Sequence, residues 1–194
     1  MSLKILGGRL RGKTLVTPNV ETTRPTLAIL RKAVFDIVQM QIEEAHVLDL
    51  YAGSGAIGFE ALSRGAVAAT FVETNPRAFG CIKKNMQALG VEKESTLVSY
   101  DAPLFLKKLS KAKASFDLIY VDPPYALGTR LNLLNEILVF IDTHLLLKEG
   151  GTLFLEEGAP AKLRPSDQKL ESLYFVNSRT FSQSTLHQFQ RSNH

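Results

Sequence analysis

Val47-Leu48-Asp49-Leu50-Tyr51-Ala52-Gly53-Ser54-Gly55-Ala56-Ile57-Gly58-Phe59 is an apolar run that ends in a small-residue loop and continues at helical spacing. It reads as a buried strand turning into a helix. Its glycines let the backbone bend and approach a ligand, and the first helical N–H groups face a crevice. The loop satisfies G-x-G-x-x-G, and Glu73 follows twenty positions after Gly53, which is the spacing of a dinucleotide site. Asp49 argues against that ligand. A carboxylate at the strand end opposes a pyrophosphate and attracts ammonium and sulfonium charges. S-adenosylmethionine carries both charges, and its ribose offers two hydroxyls to Glu73, so the loop is read as a site for that donor. Two other readings stand beside it: a nicotinamide dinucleotide, or a helix capped by Asp49 with glycines serving packing alone.

Working outward, strands alternate with helices over short connections. Strand 47–51 leads to helix 55–64 and strand 69–73, through Asn75-Pro76, to helix 77–89; strand 96–100 leads to helix 103–109 and strand 117–121, through a proline loop, to helix 130–142. Gly150-Gly151 opens strand 152–156, and segments 173–179 and 185–190 form a closing hairpin that adds an antiparallel edge strand. Runs such as Phe116-Asp117-Leu118-Ile119-Tyr120-Val121 are nearly continuous in apolar residues, as strands covered on both faces must be. The expected fold is an α/β, open, mostly parallel, doubly wound sheet of seven strands. No internal repeat and no second globular domain is read. The expected organisation is a basic hairpin arm over 1–22 and one domain over 23–194.

The arm is read from Lys4-Ile5-Leu6-Gly7-Gly8-Arg9-Leu10-Arg11-Gly12-Lys13-Thr14-Leu15, a strand-turn-strand pattern carrying positive charge. Thr23-Arg24-Pro25-Thr26 then starts a helix whose apolar face is Leu27, Leu30, Val34, Ile37 and Val38, with Arg31 and Lys32 off the stripe. The net charge of +4 is uneven: residues 1–32 carry +6 and the remainder −2. A basic edge on a nearly neutral body is the electrostatic footprint of a polyanion partner, most simply nucleic acid. Arg9, Arg11, Lys13, Arg24 and Arg31 are therefore the candidate nucleic-acid contacts, and Gly7, Gly8 and Gly12 would let backbone come close to phosphate. A solvated arm that binds nothing is the competing reading. The single Cys81 excludes an internal disulfide, and the four histidines have no ligand spacing, so no metal site is expected. With no long apolar run and no leader, the chain is expected to be cytoplasmic and away from membranes.

In such a sheet, ligands sit beyond the carboxyl ends of the strands where strand order reverses. Asp49, Glu73, Asp101 and Asp122 stand at four successive strand ends. Asp101, with Ala102 beside it, can hold the adenine of the donor, or cap the helix that follows. Asn85, on the helix after Glu73, could line the crevice or face solvent. Asp122-Pro123-Pro124-Tyr125 suits a planar exocyclic amine. The prolines fix an extended backbone, and the Pro123 carbonyl and Asp122 carboxylate can each accept one N–H. The carboxylate also stabilises the positive charge that the nitrogen gains as it takes a methyl group. Tyr125 can stack on the base, which must be out of its own stack.

These residues carry a resemblance. Gly7-Gly8 with Arg11-Gly12-Lys13, Arg24-Pro25-Thr26, the stretch from Asp49 to Gly58 with Glu60-Ala61-Leu62-Ser63-Arg64-Gly65-Ala66, and Asp122-Pro123-Pro124-Tyr125 together resemble the RsmD family, bacterial 16S ribosomal RNA guanine-N2 methyltransferases. The resemblance implies the Rossmann-like class I methyltransferase fold and a cytosolic, monomeric enzyme. Its target would be N2 of guanine 966, in the assembled or partly assembled small subunit. By motif position, Asp49, Tyr51, Gly53, Ser54, Gly55, Glu73, Asp101 and Ala102 would hold S-adenosylmethionine, and Asp122, Pro123, Pro124 and Tyr125 the guanine. The chain departs from the family after Arg-Pro-Thr: Leu27-Ala28-Ile29-Leu30-Arg31-Lys32 stands where the family has Thr-Asp-Arg-Val-Arg-Glu. The alternatives are an amino methyltransferase of a DNA base or of other RNA, a protein glutamine methyltransferase, and a catalytically silent RNA-binding module.

Overall fold

The structure, a computed structural model, describes residues 3–18, 25–124 and 130–192, with backbone alone for 25–27 and 130. A short antiparallel pair, β1 (Leu3–Lys4) and β2 (Thr14–Leu15), precedes helix α1 (Pro25–Ile37). Then follow β3 (His46–Leu50), α2 (Ala56–Ser63), β4 (Ala68–Val72), α3 (Pro76–Leu89), β5 (Ser95–Val98), α4 (Ala102–Lys111), β6 (Phe116–Val121) and α5 (Arg130–Thr143). The chain closes with β7 (Leu147–Gly158), β8 (Leu173–Phe181) and β9 (Ser184–Arg191).

The main sheet has seven strands in the order β5-β4-β3-β6-β7-β9-β8. The first five are parallel, and β9 is antiparallel to both of its neighbours. The closing hairpin is therefore present, but the antiparallel strand is not the edge: β9 lies between β7 and β8. Its sequence explains the placement. Ser184 to Phe189 are all buried, whereas β8 beyond Leu173 holds only exposed and half-buried residues. Strand β7 also starts five residues earlier than Gly150-Gly151 suggests, because the glycines sit in a bulge where its register against β6 slips between Phe116 and Leu118.

Alternation along the central strands feeds two cores. Val47, Leu118, Tyr120 and Phe154 face one side with α1, α2 and α3; Leu48, Leu50, Ile119, Val121 and Leu155 face the other with α4 and α5. Helix α2 is buried from Ile57 to Ser63 because the sheet covers one side and the N-terminal hairpin the other. Gly58 lets it approach β4: a Cβ there would lie 2.2 Å from the Phe71 ring, which packs 4.7 Å from Phe59 between ring centres.

The hairpin is anchored in the first core by Ile5, Leu10 and Leu15, each worth roughly 1.5–3 kcal/mol when fully buried. Its backbone is satisfied by α2. Glu60 accepts from Leu6 N and Gly7 N, each at 2.8 Å, and Ser63 Oγ accepts from Leu10 N at 2.9 Å. Gly8, at φ 74°, is needed because a Cβ would fall 1.8 Å from the Ser63 carbonyl. The close approach expected of Gly7 and Gly8 is thus made to α2. Asn85 takes neither of the two roles open to it in the sequence. It is buried, its side chain clasps both backbone groups of Val16, and it donates to Ser54 O.

Candidate active site

The strand order reverses at β3, which has β4 on one side and β6 on the other, so a crevice opens between the carboxyl ends of β3 and β6. Leu50 pairs with Val121 there, and Asp122 N donates to Leu50 O at 3.4 Å. Among the described residues, two cavities lie in the crevice. The larger, about 1000 Å³, has Glu73, Asn75 and Arg77 toward β4 and α3, Asp101 and Pro103 at α4, and Pro124 and Asn132 beyond β6. The smaller, about 290 Å³, lies between α1, the glycine loop and the ends of β6 and β7. Pro18, Tyr51, Gly53 and Asp122 line both.

The expected donor residues take distinct positions. Glu73 is held by Gly53 N at 2.8 Å and Asn75 N at 2.7 Å, which fixes its carboxylate at the mouth of the glycine loop. Asp101 caps α4, accepting from Leu104 N at 3.1 Å, and also lines the larger cavity; Ala102 behind it is buried. Capping and ligand reach are compatible, because one carboxylate has several acceptor sites. Ser54 and Gly53 line the smaller cavity. Gly55 is the N-terminal cap residue of α2. Tyr51 takes a left-handed conformation at φ 61°, a strain of about 1–3 kcal/mol that persists only where surroundings enforce it. Burial and the Asp101 carboxylate push its phenol up to about 12, so it is a donor at neutral pH.

Asp49 is 2% exposed and lines the smaller cavity, where it accepts from Gly58 N at 3.1 Å. Burial pushes its carboxyl up to about 8; the Gly58 hydrogen bond opposes the rise and the Glu73 charge adds to it. Such a group meets a cation by losing its proton. Asp49 and Asp122 thus share one cavity wall, and Pro123 beside Asp122 is buried while Pro124 is exposed. Tyr125 and Arg24 lie outside the described residues.

A fifth acidic strand end is absent from the sequence reading: Glu156, near the end of β7, is buried, lines the smaller cavity and accepts from the Tyr120 hydroxyl. The same rule that marks Asp49 and Asp122 would have found it, since it follows Leu153-Phe154-Leu155. Glu60 enters the sequence reading only through its motif, although it ties the hairpin to α2 and pairs with Arg64 and Arg31.

Arg31 corrects the expected RNA contacts. It is 4% exposed, donates from Nη2 to Lys4 O at 2.6 Å and lies with Nε 3.5 Å from Glu60 Oε2, so it cannot meet phosphates on the surface. The apolar stripe of α1 is wider than the leucines and valines alone indicate: Phe35, one turn on, is fully buried, and places i and i+4 share a face. Arg11 and Lys13 are exposed on the hairpin, and Arg9, half exposed, pairs with Glu94. At the departures from the family, Ile29 is 59% exposed and Lys32 pairs with Asp36 at 2.5 Å, both on the solvent side of α1.

Known proteins resemble this chain in sequence and in fold. The family described as conserved hypothetical protein 95 matches residues 3–190. Ribosomal RNA small subunit methyltransferase D of Haemophilus influenzae is 31% identical over 154 residues, 79% of this chain and 78% of the relative. A hypothetical protein of Thermus thermophilus superposes with a TM-score of 0.78 at 28% identity, covering 96% of this chain and 98% of that one. The T. thermophilus 16S rRNA N2 G1207 methyltransferase RsmC, solved with S-adenosylmethionine and guanosine, gives a TM-score of 0.71 at 20% identity over all of this chain and 50% of its own. At that identity the likeness speaks for the fold alone.

Proposed function

The chain belongs to the RsmD family, the family of conserved hypothetical protein 95, and from that premise we propose that it transfers a methyl group from S-adenosylmethionine to the exocyclic N2 amine of a guanine in small-subunit ribosomal RNA. The observation that carries the reading is the shared wall. Asp122, which opens the Asp-Pro-Pro-Tyr loop, lines both the cavity holding Glu73 and Asp101 and the cavity holding Asp49.

The residues present fit the donor. Glu73 is fixed beside the loop to accept from ribose hydroxyls, Asp101 stands across the same cavity to accept from the adenine amino group, and Asp49 is a buried carboxyl whose ionisation a cation would favour. S-adenosylmethionine, when bound, supplies an electrophilic methyl group. The protein supplies the rest of the chemistry. Asp122 and the Pro123 carbonyl accept the two N–H groups of the guanine amine, holding its lone pair in line for attack, and positioning of this kind accounts for much of the acceleration. The Asp122 carboxylate then stabilises the positive charge that the nitrogen acquires and can accept its surplus proton. Tyr125 stacks on the guanine. Exposed Arg11 and Lys13, with Arg9 and Arg24, draw in the RNA backbone, and the assembled or partly assembled small subunit presents the target.

The test is methylation of small subunits, and of naked 16S RNA, from cells lacking this protein, with mass mapping of the RNA. N2-methylguanosine at one position is expected, and Asp122→Ala is expected to lose at least about 100-fold in turnover while donor affinity stays within a few-fold. Methylation of another base, or normal turnover by the variant, would overturn the reading.

A further inference from the structure

Outside the crevice, a polar constellation on the closing strands serves no role yet described. Ser178 of β8 and His187 of β9 are direct partners in the ladder. Ser178 Oγ lies 2.7 Å from His187 Nδ1, and His187 Nε2 lies 3.3 Å from Glu157 Oε2 of β7. Glu157 is itself fixed: Lys162 N donates to its Oε1 at 2.8 Å and Leu163 N to its Oε2 at 3.0 Å. His187 is 2% exposed and Glu157 5%, while Ser178 stands exposed on the edge strand. The three therefore form a line from solvent into the protein. Neighbouring residues of a strand point to opposite faces, so this line lies across the sheet from the smaller cavity, which Glu156 lines. Local sequence conceals it, because Ser178 is nine positions from His187 and Glu157 thirty.

The direction of the hydrogen bonds follows from what each group can donate. Both Glu157 oxygens accept backbone N–H groups, so toward the ring the carboxylate is an acceptor and Nε2 carries the proton. A neutral ring then has its lone pair at Nδ1, and the Ser178 hydroxyl donates to it. Burial holds the ring below its ordinary pKa, and Glu157, the charged group that acts on it among the described residues, opposes the fall. At neutral pH the ring is thus uncharged and able to take a proton. A cross-strand pair serving stability alone would be better made of apolar side chains, since a buried acid and imidazole are costly to desolvate. A hydroxyl bonded to a carboxylate-held imidazole is instead the arrangement of an activated nucleophile. Strand β8 is the edge of the sheet, so alternate N–H groups of it face away from β9, and outward donors of this kind stabilise the oxyanion of an attacked carbonyl.

We propose that Ser178 is a nucleophile with His187 as its general base and Glu157 as the residue that positions the ring, and that it takes an acyl group from an activated ester or thioester. This edge of the sheet is then a self-acylation site separate from the methyl-transfer crevice. Ser178 Oγ forms a bond to the acyl carbon and its proton passes to His187 Nδ1. The C–O or C–S bond to the leaving group breaks, and the proton departs with the alcohol or thiol.

The experiment uses the full chain with 4-nitrophenyl acetate, follows nitrophenol release and locates the acetyl group by peptide mass mapping. A stoichiometric burst is expected, with the acetyl group on Ser178. Ser166 is the internal control: it is exposed, and its hydroxyl lies 3.2 Å from the Asp167 carboxylate in place of an imidazole. Ser178 is expected to react at least about 100-fold faster than Ser166. Equal rates, or acetylation of lysines alone, would overturn the proposal without any variant having to fold. With circular dichroism unchanged, Ser178→Ala is expected to lose the burst and His187→Gln to slow it by about 100-fold or more; a folded variant of either kind with the wild-type burst would also overturn it. Glu157→Gln is expected to slow the reaction and to move its half-maximal rate to lower pH, because the carboxylate that opposes the fall in the ring's pKa is gone. A slower reaction at an unmoved pH would make Glu157 a brace for residues 162 and 163 and overturn the relay.

Discussion

Asp49 illustrates how burial turns a common side chain into a conditional one. With its carboxyl pushed up to about 8 by burial, it holds a proton over much of the range in which a surface aspartate is charged. The sign of the consequence follows. Without the donor the group is mostly protonated below about pH 8; beside an ammonium or sulfonium it is ionised, so binding releases a proton. Donor affinity is therefore expected to rise with pH between about 4 and 8, by up to tenfold per unit, and to level off above. Calorimetry at pH 7 in buffers of different ionisation enthalpy would read the proton directly, and Asp49→Asn should abolish the release. Affinity independent of pH in the wild type would mean that Asp49 does not change its protonation on binding and that its part is the hydrogen bond from Gly58 N.

Elements are held in register by a few carboxylates that act as backbone acceptors, and Asp142 shows the energetic scale. It lies near the end of α5 and accepts from the N–H groups of Glu171, Ser172 and Leu173 and from the Ser172 hydroxyl, all at 2.8 Å, pinning the start of β8 to the helix. Burial alone would raise its pKa; the four donors outweigh burial and hold it below the ordinary value. A lowered acid stabilises the fold above the unfolded pKa, near 4, and loses that contribution as pH falls through the folded one. Asp142→Ala is expected to cost about 2–3 kcal/mol in urea unfolding at pH 7, with the gap from wild type closing below about pH 4. Nothing in local sequence announces this residue, whose partners are about thirty positions away. The alternation of strand and helix is legible because each parallel strand is a short apolar run punctuated by an acid or glycine, and Glu73, Asp101 and Asp122 are legible because strand ends in such a sheet face the ligand. Arg31, Glu60 and Asn85 are not, since their partners come from a hairpin that is distant in sequence and whose docking no periodicity encodes.

At the scale of the molecule, the hairpin joins two roles that the charge distribution alone would merge. Its apolar residues Ile5, Leu10 and Leu15 belong to the same core as α2, and its backbone is tied to Glu60 and Ser63. Its basic side chains divide: Arg9 is paired with Glu94, while Arg11 and Lys13 are exposed. A rigidly docked strip of exposed charge can set the angle at which a folded RNA meets the crevice, which a loose tail of the same charge could not do. Each phosphate neutralised releases counterions, so affinity for RNA should fall with salt, with a slope of about 0.7–0.9 per contact. Replacing Arg11 and Lys13 with alanine is expected to reduce that slope by about 1.5 and to weaken RNA binding at low salt, leaving donor affinity unchanged because neither residue lines the crevice. Arg9→Ala is expected to change the slope less, since Glu94 already neutralises it. Filter binding of 16S RNA across a salt series would measure both. An unaltered slope in the double variant would mean that the hairpin serves the fold alone, and that the RNA is held by another surface.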